Sequence, residues 1–111
     1  MREKYDKAGL NYDIILEKFP DIQEYEKTLM FYFDDENFEL LGQYIKDEDF
    51  AMAKDACKGL YVLASELRVF PLYEALLEVY EDLEFETYSD ISEHYKQMHE
   101  IYEKIRSAFY A

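Results

Sequence analysis

Few side chains in this 111-residue chain have the types and spacing for chemistry. Asp55, Cys57 and Lys58 lie close together, and His94 and His99 stand apart near the C-terminus. A histidine accepts a phosphoryl group or ligates a metal, a thiolate attacks, and a carboxylate moves protons, each only with a partner suitably placed. Those partners are missing. His94 and His99 are five apart, about 140° around a helix, so they neither share a face nor pair as metal ligands. They read as solvated or flanking residues of an amphipathic helix. Cys57 is the only cysteine, which leaves no internal disulfide and no thiolate cluster for zinc, and it reads as a small buried hydrophobe. Asp55 has no second acid or nucleophile beside it. Phosphate loops, nucleophile elbows and helical His-Glu-x-x-His patterns are absent. The expectation is a protein that is not an enzyme, with no catalytic residue, no cofactor and no metal.

The stretch from Asp49 to Glu74 positions most of these residues. Phe50, Ala53, Cys57, Leu60, Ala64 and Leu67 recur at spacings of three and four, which predicts a helix of roughly five turns with one buried stripe. At about 100° per residue, Asp55, Lys58 and Val62 project opposite that stripe, with Ala51 and Ser65 beside them and Tyr61 on the shoulder. This is a polar face with an apolar spot in it. Between Asp47 and Tyr95 the only lysines and arginines are Lys54, Lys58 and Arg68, all on this helix or at its end.

On these residues the chain resembles the histidine-containing phosphotransfer (HPt) domains of two-component phosphorelays. The central helix of that family reads Asp-aromatic, a spacer, Ala-His-x-Leu-Lys-Gly, a second Gly, then a Leu-Tyr-Glu-like start to the next helix. Asp49-Phe50, Ala53, Ala56, Leu60, Leu67 and Leu72-Tyr73-Glu74 fall on matching positions without a gap. The family's phosphoacceptor His then lands on Lys58, its Lys on Tyr61, its first Gly on Val62 and its second Gly on Arg68. A rival register sets Lys58-Gly59 on the family's Lys-Gly and Asp55 on the His. It needs gaps inside a helix, which would rotate the buried stripe out of the core. Either register leaves this face without a histidine. The resemblance implies a degenerate member that cannot accept phosphate, since an ammonium at position 58 has no lone pair for the attack.

The rest of the chain reads as helices. Asn11 caps a short helix, Tyr12 to Phe19, closed by Pro20. Asp21 with Glu24 forms a capping-box pattern for a second, with Ile22, Tyr25, Leu29 and Tyr32 or Phe33 inward. The DDEN run at Asp34 to Asn37 breaks it, and a third carries Phe38, Leu41, Tyr44 and Ile45 inward. After Pro71, Leu72, Leu76, Val79, Tyr80 and Leu83 form a stripe, while Glu74, Glu78, Glu81 and Asp82 read as its acidic outer side. Asp90 with Glu93 predicts the last cap, and Ile91, Tyr95, Met98, Tyr102, Ile105 and Phe109 the last stripe. The expected fold is all-α, a single HPt-like domain over residues 1–111. Its expected architecture is an antiparallel up-down four-helix bundle with a short additional N-terminal helix. Beyond the central hairpin, the resemblance, from about Gly9 to Phe109, is mostly helix length and order.

The net charge is -14, from 26 acids and 12 bases. Such a field repels phosphate backbones and anionic lipids, so neither nucleic acid nor membrane is an expected partner. The start MREKYDKAGL lacks the apolar run of a signal peptide, which predicts a cytoplasmic protein. The resemblance implies a response-regulator receiver domain or a histidine kinase as partner, bound without phosphate transfer. The outer face of the central helix would dock it, through Lys54, Asp55, Lys58, Tyr61, Val62 and Ser65. Receivers hold an acidic pocket around their phosphorylated aspartate, which Lys58 could enter as a cation. The alternative is a structural or assembly module that keeps the bundle and has no relay role.

Overall fold

A computed structural model describes residues 2–110. They form seven α-helices: α1 (Arg2–Ala8), α2 (Tyr12–Lys18), α3 (Ile22–Phe33), α4 (Asn37–Lys46), α5 (Phe50–Glu66), α6 (Phe70–Glu84) and α7 (Ile91–Tyr110). A 3-10 turn, Tyr88–Asp90, leads directly into α7. Among the described residues there is no strand, and the all-α class expected from the sequence is what the chain adopts.

Side-chain caps set several helix starts. Asn11 Oδ1 accepts the amide of Ile14 at 3.1 Å, Asp21 Oδ1 that of Glu24 at 3.2 Å and Asp49 Oδ1 that of Met52 at 3.4 Å. Each satisfies a donor that the first helical turn leaves unpaired. Asp90 differs from expectation. It belongs to the 3-10 turn, whose backbone already continues into α7, so no cap is needed there. The short α1 was also not apparent in the sequence, because only Tyr5 and Ala8 of its seven residues are buried.

Four helices end on the same corner. Gly9, Glu48, Arg68 and Glu86 have φ of 76°, 58°, 64° and 57°, the left-handed region. In each, the following amide reaches back five residues to a helix carbonyl: Leu10 to Tyr5, Asp49 to Tyr44, Val69 to Ala64 and Thr87 to Asp82, at 2.8 to 2.9 Å. These are Schellman closures, which favour glycine, and three of the four carry a charged residue instead.

Helices α5 and α6 pair in opposite senses, with residue 54 against 84, 57 against 76, and 61 against 73 and 80. The core they share includes Ala53, Cys57, Leu60, Ala64, Leu72, Leu76 and Val79, all at 1% exposure or less. Helix α4 packs on α5, and α7 packs on α6 and reaches α4. That last approach runs through Gly42, where an added Cβ would fall on the Tyr95 ring. The Tyr95 hydroxyl donates to Phe38 O at 3.2 Å.

Helix α3 is attached by tyrosines. Tyr25 donates to Leu67 O and Tyr32 to Leu60 O, both at 2.7 Å, so two phenol side chains span from α3 to α5. Tyr102 of α7 donates to Phe33 O and stacks on Phe38 with ring centroids 4.1 Å apart. Burial and nearby acids raise the Tyr25 and Tyr32 hydroxyls well above the ordinary phenol value. Burial pushes Tyr102 up to about 12.

Candidate functional site

The outer side of α5 carries all six residues singled out in the sequence, and they divide into two groups. Lys54 and Tyr61 lean towards α6. The Lys54 ammonium pairs with Glu84 and lies 5.9 Å from the Tyr80 ring centroid, while Tyr61 meets Tyr80 and Tyr73 edge-on at 5.0 and 6.0 Å. The hydrogen bond to Glu84 raises Lys54, and the same bond lowers Glu84.

Asp55, Lys58 and Val62 form the exposed ridge, with Ser65 half-buried at its end. Lys58 has no hydrogen bond or ion pair among the described residues, although its charge helps to hold Glu84 low. Val62 is 40% exposed. Gly59 adds to the openness, since a Cβ there would meet nothing within 4 Å. The ridge therefore offers an unpaired cation next to a small apolar spot on a rigid helix.

Behind it, Cys57 is fully buried and donates its thiol to Leu76 O at 3.2 Å. Burial pushes that thiol up to about 12, which keeps it protonated and chemically quiet.

A polar cluster that sequence reasoning assigned wrongly joins α6 to α7. Asp82, read as part of the acidic outer side, is only 6% exposed. It accepts the Thr87 hydroxyl at 2.9 Å and pairs through its other oxygen with His94 Nδ1, while His94 Nε2 lies 3.3 Å from Glu78 Oε1. Of the two readings, solvated or flanking, His94 takes the flanking one, half-buried and connecting two helices. The spacing held a signal, because Asp82 follows Val79 by three and continues its inward stripe. With carboxylates against both ring nitrogens, His94 is poorly placed to take up an anionic phosphoryl group. His99 faces another way, 5.9 Å from the Tyr95 and Tyr102 ring centroids.

No group of three or more His, Cys, Asp or Glu side chains among the described residues is placed to hold a metal ion. No helix among them is long and apolar enough to cross a membrane. Compared with protein-family models, curated protein sequences and solved structures, the chain matches none.

Proposed function

We infer that the chain is a cytoplasmic, non-catalytic pseudo-HPt domain, an antiparallel four-helix bundle in that reading. It would dock a response-regulator receiver or a histidine kinase through the outer ridge of α5. The observation that carries this reading is the unpaired Lys58 ammonium with Val62 one turn further along, at the positions where the resemblance places the phosphoacceptor His and the first Gly. A cation there suits the acidic pocket around a receiver's aspartate, and Val62 and Tyr61 give the contact an apolar part.

The backbone at Arg68 supports the register independently of the ridge. The resemblance puts the family's second Gly at this position, and Arg68 has a φ of 64°, where glycine is the favoured residue.

The test is affinity capture from native lysate with the wild-type protein and a folded Lys58→Glu/Val62→Arg variant, followed by titration of each captured receiver or kinase in purified form. Receivers or kinases held by the wild type and lost by the variant are the expected result. Equal capture by both proteins, or none, would favour a structural module with no relay role. Phosphoryl label passing to the wild-type chain, and abolished by replacing His94 or His99, would defeat the reading.

A further inference from the structure

Because two tyrosines set the distance between α3 and α5, the helix backbones stay apart and leave a groove of about 700 Å³. Tyr32 lies at its base, and Phe31, Leu63 and Leu67 give it apolar walls. Phe31 is 84% exposed, more than any other large hydrophobic among the described residues, and Leu63 is 40% exposed. An aromatic ring held in water beside an open apolar groove is surface that a partner would cover.

The groove is lined by four acidic residues, Asp34, Asp35 and Glu36 from the α3–α4 turn and Glu66 from α5, and by no lysine, arginine or histidine. Asp34 is partly neutralised by Arg106 at 3.3 Å and accepts the Tyr110 hydroxyl at 2.9 Å, and Asp35 accepts the Asn37 amide at 2.9 Å. The side chains of Glu36 and Glu66 have no hydrogen-bond or ion-pair partner among the described residues.

We propose that this groove seats a basic amphipathic helix from a partner protein. Apolar side chains at spacings of three and four would enter against Phe31, Leu63 and Tyr32, and flanking lysines or arginines would meet Glu36 and Glu66. The charge argues for this occupant over a second copy of the chain, which carries -14 and would bring acid against acid. It argues equally against nucleic acid or anionic lipid. The site goes beyond the proposed α5 ridge, since Leu63 and Lys58 point about 140° apart around the helix.

The probe is a fluorescein-labelled peptide of leucine and lysine, about 14 residues long, with leucines at helical spacing. Fluorescence anisotropy should show saturable one-to-one binding to the wild type. Phe31→Asp and Leu63→Asp should each weaken it by about tenfold or more. Both changes add negative charge, so simple attraction to lysine predicts the opposite. Circular dichroism should be unchanged in both, because the replaced side chains are exposed, and Lys58→Glu should bind the probe as the wild type does.

Absence of binding would overturn the proposal, as would undiminished binding by both Asp variants. Equal binding of a peptide with the same composition but no helical spacing would also overturn it. A wild-type dimer in sedimentation that Phe31→Asp dissociates would assign the groove to self-association instead. The Phe31→Asp and Leu63→Asp variants keep Lys58 and Val62 and should still capture the receiver or kinase, so the two surfaces stand or fall separately.

Discussion

His94 of α7 is fastened to Asp82 of α6, imidazole Nδ1 against carboxylate Oδ2, with Thr87 of the intervening corner donating to the other carboxylate oxygen. One buried acid thus ties together two helices and the loop between them.

That pairing makes stability depend on pH. The hydrogen bond to Asp82 raises His94 above its ordinary value, against an opposing effect of burial, and the charges of Asp82, Glu78 and Asp90 raise it further. A raised folded value means that the stabilisation is fully present below the unfolded imidazole value of about 6.5 and is lost as pH rises through the folded one. The urea midpoint should therefore fall as pH rises above the unfolded imidazole value of about 6.5. His94→Gln should flatten that fall. An equal fall in the variant would assign the effect to self-repulsion of the acidic chain.

The two helical glycines should respond to alanine with opposite signs. At Gly59 the new methyl meets nothing, so Gly59→Ala gains helix propensity and should raise stability by roughly 1 kcal/mol. At Gly42 the methyl would displace the Tyr95 ring and strain its bond to Phe38 O, so Gly42→Ala should lower stability by about 1 kcal/mol. Thermal unfolding of both variants measures the contrast, and equal signs would contradict the close packing of α7 on α4.

Arg68→Gly should stabilise the fold by about 0.5–1 kcal/mol, because a left-handed backbone is costly for a residue with a Cβ. The change also removes the bond from the Arg68 guanidinium to Ser65 O at 3.0 Å, which reduces the gain. Chemical denaturation of the variant decides the sign.

The facing of α5 is tested by one inward and one outward change. Leu60 is 1% exposed, so Leu60→Asp buries an unpaired carboxylate and should cost several kcal/mol, roughly enough to unfold the chain. Lys58→Glu on the exposed ridge should leave the helical circular dichroism spectrum intact.

Local chemistry was legible in the sequence where one residue suffices to decide it. Asn11, Asp21 and Asp49 cap as their side chains require, and the stripe from Ala53 to Leu67 is buried as its spacing requires. The outer ridge of α5 was legible for the same reason. What needs knowledge of a neighbour was not. Asp82 looks like any surface acid until His94 and Thr87 are beside it, and Phe31, off the inward stripe of α3, shows no groove until Leu63 and Leu67 are set beside it. The corners were hidden differently. With only three glycines the chain does not mark them by residue type, and Glu48, Arg68 and Glu86 adopt the glycine-favouring conformation themselves.

The tyrosine bridges of α3 and α7 have an optical and alkaline consequence. With no tryptophan, the chain's near-ultraviolet signal comes chiefly from its 12 tyrosines. Tyr25, Tyr32 and Tyr102 use their phenolic protons to hold helix carbonyls. A phenolate would have no proton to donate, so base cannot ionise these three rings without releasing the helices they fasten. Their appearance as phenolate absorbance would mark the release of α3 from α5 and α7, using chromophores already built into the joints.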